Sequence, residues 1–264
     1  MNLFMYVFVF LISDNQLSGQ IPEGLALSAL TSLSLHNNQL EGPLPCRLTT
    51  LKRLQSFTCD LLPFPAEDED SFCRVNDYIV ARGTAGAIDN HSIDSEDYKA
   101  NLTEEKENLL SALADFGADA SALHWTEVDA EWQGVVFDQQ GCVRSLILSG
   151  QSLAMQGGGV PESLEYLSNV LFLDLSHNNL GGSLPQEVCS LAFLQFLYLN
   201  DNQFRGQLLP EFEKLESLKT LNLSGNRLTG RLEPSLSSLI DLEILNLSNN
   251  KLEGEWSTLL ILYF

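Results

Sequence analysis

The 264 residues carry 35 acidic against 14 basic side chains, a formal net charge of −21, and 44% of them are hydrophobic. That balance excludes a general binder of nucleic acids or anionic membranes, whose affinity rests on clustered Lys and Arg, and fits solubility or a partner with a basic surface. Five cysteines, Cys46, Cys59, Cys73, Cys142 and Cys189, form no Cys-x-x-Cys and have no His at ligand spacing, so neither a zinc site nor any cofactor is expected.

The first stretch, Leu3 to Ile12, is apolar like the core of a signal peptide but lacks a basic lead and a small-residue cleavage site. Val7, Phe10 and Ile12 instead fall on the positions of a repeat entered partway. The frame Leu-x-Leu-x-x-Asn-x-(Leu/Phe)-x-Gly is met at Phe10, Ile12, Asn15, Leu17 and Gly19, then at Leu33, Leu35, Asn38, Leu40 and Gly42. It returns around Asn178, Asn202, Asn226 and Asn250, in steps of 24 residues. A fixed period with this frame specifies an α/β solenoid, a leucine-rich-repeat horseshoe, in which each repeat buries its apolar side only against its neighbours. Leu-x-Leu is a short strand. The following Asn is expected to be structural, its amide satisfying backbone groups inside the stack. The Gly-x-(Ile/Leu)-Pro that closes several repeats turns the chain to the convex side. This ending resembles the plant-type repeats of receptor kinases, receptor-like proteins and polygalacturonase-inhibiting proteins, and similar repeats occur in algal proteins.

The first array is expected over residues 1–62. It dissolves after Leu54, Phe57 and Cys59, where Leu62 stands in place of the next Asn. Cys59 and Cys73 flank this end, and a disulfide between them would seal it in an oxidising compartment. Residues 63–102, with Glu67-Asp68-Glu69-Asp70, read as an acidic linker; the run lacks the spacing and Gly of a calcium loop.

A helical cap is expected over 103–142. Thr103 is a capping residue, Glu104 and Glu105 suit the first turn, and Leu109, Leu110, Leu113 and Phe116 share a face. Trp125 and then Trp132-Gln133-Gly134-Val135 lead into the second array, 143–264. This order resembles the N-terminal cap of plant-type receptor ectodomains. The family usually brackets Trp-x-Gly-Val with two cysteines, and here Ala130 and Phe137 occupy those places. The cap disulfide is therefore not expected, which weakens the case for an oxidising compartment; Trp132 and Phe137 are expected to close the core end by packing.

Within the second array, Gly157-Gly158-Gly159 is no phosphate loop, because no Gly-Lys-Ser/Thr follows. Outward positions between the leucines include Arg144, Ile147, Phe172, Asp174, Ser176, His177, Phe196, Tyr198, Asn200, Asp201, Lys219, Thr220, Asn222, Glu243 and Asn246. Phe172, Phe196 and Tyr198 on adjacent strands, flanked by Asp174, His177 and Asp201, form the candidate ligand-binding site. The alternative is that they merely decorate the sheet. His36 and His177 are read as preceding Asn at the same repeat position, which speaks for shared repeat grammar over catalysis. Sequons stand at Asn90, Asn101, Asn222 and Asn246; the first two are candidate glycosylation sites, and the last two belong to the repeat phrase Asn-Leu-Ser. No catalytic motif is present, and an enzyme is not expected.

The chain ends on Leu259-Leu260-Ile261-Leu262-Tyr263-Phe264, too short to span a bilayer and without a polar cap, so both ends are expected to be cut from a longer protein. The resemblance implies recognition of a protein or peptide ligand, or of a co-receptor, at the cell surface or outside the cell. A membrane enters only through parts beyond this chain. An intracellular scaffold or enzyme-inhibitor module is the alternative.

Overall fold

The computed structural model describes residues 8–21, 30–42, 53–59, 96–116, 123, 125, 132–138, 141–154, 160–232 and 234–255. The short strands demanded by Leu-x-Leu recur throughout: β1 Val9–Leu11, β3 Ser32–Ser34, β5 Ser56–Thr58, β7 Val143–Ile147, β8 Phe172–Asp174, β10 Phe196–Tyr198, β12 Thr220–Asn222 and β14 Ile244–Asn246. A second strand follows the asparagine in most repeats: β2 Gln16–Gln20, β4 Gln39–Glu41, β9 Gly181–Gly182, β11 Gln203–Gly206, β13 Arg227–Gly230 and β15 Lys251–Glu255. The cap supplies helix α1, Glu96–Asp115, and strand β6, Val135–Phe137. On the other side of the solenoid run 3-10 turns at Glu162–Tyr166, Gln186–Ser190, Pro210–Lys214 and Pro234–Ser238, entered from Pro161, Pro185, Pro210 and Pro234. Pro starts such a turn well because its φ is already set and its missing N–H would have no partner there.

The stacking order is the main departure from expectation. One nine-stranded sheet runs β5-β3-β1-β14-β12-β10-β8-β7-β6, and a six-stranded sheet runs β4-β2-β15-β13-β11-β9. The two runs of repeats, expected as separate arrays, thus share both sheets, and the N-terminal run continues the stack beyond the C-terminal one. Val9 pairs with Ile244 and Leu11 with Asn246, in the parallel register that Phe196 and Tyr198 keep with Thr220 and Asn222. The antiparallel exception in the large sheet is β6 against β7.

An asparagine ladder shows that this junction is an ordinary repeat interface. The Asn202 amide donates to the carbonyls of Leu175, Leu199 and Asn200 at 2.9, 3.2 and 3.3 Å, and its Oδ1 accepts the Leu180 N–H at 3.0 Å. Asn226, Asn250 and Asn178 repeat the scheme. Across the junction, Asn15 donates to Ile12, Ser13 and Leu247 at 3.1, 3.0 and 3.0 Å and accepts the Leu252 N–H at 2.9 Å. Asn38 then serves Leu17, Ile12 and Leu35 in the same way. Each amide closes off backbone groups that would otherwise be buried unpaired, at about 1–3 kcal/mol apiece. Phe10, Ile12, Leu33, Leu35, Leu173, Leu197, Leu221 and Leu245 lie in one continuous core, each contributing about 1.5–3 kcal/mol through burial.

The cap closes the other end. Trp125 and Trp132 stack with centroids 5.0 Å apart and planes 9° apart, and Phe137 meets Trp132 edge-on at 6.5 Å. The Trp125 indole N–H donates to the Gln133 carbonyl at 2.9 Å, and the Lys106 ammonium lies 4.9 Å from the Trp132 ring centroid. Gly134 has φ +79°, and a Cβ there would run into the Ile147 carbonyl oxygen; only glycine lets β6 approach β7 this closely.

Helix α1 begins at Glu96, not at Thr103, and so takes in residues assigned to the linker. The sequence carries an equivalent start there, with Ser95 ahead of Glu96 and Asp97. Its buried face holds Glu105, Leu109, Ala112, Leu113 and Phe116, while Leu110 is only partly buried. Cys46, Cys73, Asn90, Ala130, the glycine run 157–159, linker residues 60–95 and residues 256–264 lie outside the described residues, so the Cys59 to Cys73 pairing does too. Asn101 lies in α1.

Candidate functional site

The candidate site is built on β8 and β10, neighbours in perfect parallel register: Phe172 faces Phe196, and Asp174 faces Tyr198. The core leucines Leu173 and Leu197 point inward from the middle of each strand, which turns the flanking residues to the sheet's other face. Phe172 meets Phe196 with ring centroids 5.7 Å apart and Tyr198 at 5.4 Å, tilted by 36° and 37°. All three rings are half-buried. Burial pushes the Tyr198 phenol above its usual pKa and the Asp174 charge adds to this, against a hydrogen bond with the Thr220 side chain.

Asp174 ends β8, between Ile147 of β7 and Tyr198 of β10. Its Oδ1 accepts the Ser176 N–H at 2.9 Å. Arg144, on β7, is held by Asp138 at 2.7 Å and by the Asn169 carbonyl at 3.2 Å.

His177 and Asp201 are not on the strands. Both sit in the turns that follow, in left-handed backbone with φ of 55° and 54°, and they pair at 3.4 Å. Among the described residues no hydrogen bond, ion pair or ring contact joins this pair to the aromatic cluster. The six residues of the sequence-derived site therefore divide into a sheet cluster, Phe172, Asp174, Phe196 and Tyr198, and a separate ion pair. Ser176, Asn200 and Thr220, expected to point outward, are buried; Ser176 bonds the Ser149 hydroxyl at 2.8 Å and Asn200 donates to Asp201 at 2.7 Å.

Two features went unread in the sequence. Near the far end of the sheet, Asp14 lies 3.5 Å from His36 Nε2, whose Nδ1 is 3.1 Å from both the Ser34 and Thr58 hydroxyls. This polar chain is partly buried and ties three neighbouring repeats. His36 stands two residues before Asn38 and His177 one before Asn178, so they differ in repeat position. The other feature is Glu105, buried under the cap with one carboxylate oxygen unpartnered among the described residues. Desolvation, with Glu104 and Asp138 adding and a Val143 backbone hydrogen bond opposing, pushes its carboxyl up to about 7. Its helical spacing from Leu109 and Ala112 was the available signal.

Among the described residues no group of His, Cys, Asp and Glu could hold a metal ion, and no helix is long and apolar enough to cross a membrane. Asn222 and Asn246 accept hydrogen bonds from the hydroxyls of Ser224 and Ser248, two residues on in each sequon.

Comparison with known proteins agrees with the repeat frame. A model described as Leucine Rich repeats (2 copies) matches residues 216–259, and one described as Leucine Rich Repeat matches 29–51, 169–191 and 193–215. No curated protein sequence matches the chain. Similar solved structures include the BIR2 ectodomain from Arabidopsis thaliana, 28% identical over 61% of this chain and 84% of that one, TM-score 0.47. The SOBIR1 receptor kinase ectodomain from the same plant is 27% identical over 57% and 81%, TM-score 0.49. The HAESA ectodomain, solved with an IDA peptide hormone, is 26% identical over 58% and 30%, TM-score 0.47. From its 24-residue frame, its asparagine ladder and the models that match its repeats, the chain carries leucine-rich repeats and folds as their solenoid.

Proposed function

We propose that the chain is a recognition module, not an enzyme, which binds an extended peptide or a protein segment across the outer face of its nine-stranded sheet. The observation that carries this reading is the contiguous cluster of Phe172, Phe196 and Tyr198 on two adjacent strands, in which the Phe172 ring touches both of the others. Aromatic side chains of this kind supply large contact area at little conformational cost and dominate binding energy where they cluster. The stacked repeats hold them in place beforehand, so little ordering entropy opposes association.

The site is tested by panning a random twelve-residue peptide display library on the full chain and titrating the selected peptides. Phe196→Ala combined with Tyr198→Ala is expected to weaken them about a thousandfold, the sum of two hot-spot truncations at about 2 kcal/mol each, with an unchanged circular dichroism spectrum. Undiminished binding by the double variant removes the site from consideration.

Placement at the cell surface or outside the cell belongs to the same proposal. The intracellular scaffold reading draws on one observation, the Phe137 ring standing against Trp132 at a position where the family it resembles has a cap cysteine. Intact mass of the protein from its native host, before and after glycosidase and thiol alkylation, separates the two. Glycan on Asn90 or Asn101 supports the first, and bare asparagines with five alkylated thiols support the second.

A further inference from the structure

We propose that Asp174 and the rings beside it form a subsite for a basic side chain, an arginine or lysine carried by the peptide or protein segment that the sheet binds. The inference rests on the recognition reading above and names the chemistry of its partner.

The carboxylate is half satisfied. Oδ1 accepts the Ser176 N–H at 2.9 Å, whereas Oδ2 has no hydrogen bond or ion pair among the described residues. Register places the exposed Ile147 on one side of Asp174 and Tyr198 on the other, so an aliphatic and an aromatic side chain flank the charge. Such walls keep water from screening a carboxylate and strengthen its attraction for a cation that arrives there.

Among the described residues, the cations on the neighbouring strands and turns are committed or distant. Arg144 on the adjoining strand is held by Asp138 and the Asn169 carbonyl. His177 faces Asp201. Lys219 precedes β12, whereas Asp174 ends β8; in a parallel sheet these are opposite ends of the strand row. Beside Asp174 lie the rings of Phe172 and Tyr198, in contact with each other with centroids 5.4 Å apart. A guanidinium or ammonium laid on those rings gains from their negative faces and reaches the free Oδ2 with its donors, a combination that neither an apolar nor an acidic side chain satisfies. The net charge of −21 acts in the same direction by drawing in basic segments and repelling acidic ones.

The test uses the same twelve-residue display library on the full chain, with Asp174→Asn as the variant. Asparagine keeps an oxygen for the Ser176 N–H and removes the charge, so circular dichroism is expected to be unchanged. Peptides selected by the unaltered protein are expected to carry Arg or Lys at one position well above library frequency. Asp174→Asn, or citrulline in place of that Arg, is expected to weaken them about tenfold. Peptides that depend on Phe196 and Tyr198 but show no preference for a cation, or bind Asp174→Asn equally well, overturn this subsite and leave the recognition reading intact. Failure to enrich any peptide, or peptides indifferent to the Phe196 and Tyr198 double variant, overturns both.

Discussion

The repeats from β7 to β15 are joined to one another by continuous chain, whereas the repeats of β1 to β5 meet them through packing and hydrogen bonds alone. The junction is nevertheless built like every other. Phe8 and Val9 donate to the Glu243 carbonyl at 2.8 and 3.1 Å, as Lys219 and Thr220 donate to that of Gln195 at 2.8 and 3.0 Å. In a repeat protein each unit is stabilised by its nearest neighbours, and covalent order is not part of that interaction. The comparison shows that a leucine-rich interface specifies stacking and register without specifying which repeat stacks on which.

The sharpest way to break this equivalence is a cavity on each side. Phe10 and Phe204 are both fully buried, and either change to Ala is expected to cost about 3–5 kcal/mol. Hydrogen exchange followed by mass spectrometry should show Phe10→Ala losing protection in β1 to β5 while β8 to β12 keep theirs, and Phe204→Ala loosening the long run instead. Uniform loss over all strands in both variants would mean that the junction has no separate stability.

A second prediction contrasts the cap with the repeats. Glu105 has its carboxyl raised from 4.5 to about 7 by burial, so the unfolded chain releases this proton first as pH rises. Its effect on stability is therefore absent below about pH 4.5, grows unfavourable between 4.5 and 7, and is constant above, reaching roughly 3 kcal/mol at most. Urea unfolding at pH 5 and pH 7.5 is expected to show that loss in the native chain and a smaller one in Glu105→Gln. An equal pH slope in both removes Glu105 as its source.

The smallest effect sets the two asparagines against each other. Asn15→Ala and Asn202→Ala each delete three donated bonds and one accepted bond. Each is expected to cost roughly 2–3 kcal/mol in chemical denaturation, and the two to agree within about 0.5 kcal/mol. A far cheaper Asn15→Ala would reveal a looser junction than its geometry implies.

Much of this was legible in the residues. The 24-residue frame gave the strands, the structural asparagines and the turn prolines, and the resemblance to a receptor cap pointed to Trp125 and Trp132. The aromatic cluster followed from the alternation around Leu173 and Leu197. The stacking order did not, because Leu245 presents to Phe10 the same surface that Leu221 presents to it; a degenerate interface leaves no mark of order. Thr103 and Glu104 imitate a capped first turn inside a longer helix, which masks the start of α1 at Glu96. His177 and Asp201 were grouped with the rings by sequence proximity, although their left-handed backbone turns them into a pair of their own. Glu105 reads as a surface residue because a carboxylate in a first turn is ordinary there, although its spacing from Leu109 and Ala112 puts it on their face.

The segment between Thr58 and Glu96 links one end of the stack to the other, so β1 meets β14 as an intramolecular ligand. A covalent tether makes this meeting intramolecular, so closure on its own chain does not depend on protein concentration, whereas exchange between copies rises with it. The exposed donor and acceptor surfaces differ from each other, so exchange between copies is head-to-tail, and repeated exchange grows a filament where a self-complementary patch would stop at a dimer. Protein concentration is thereby the quantity that separates a discrete single-chain unit from a polymer.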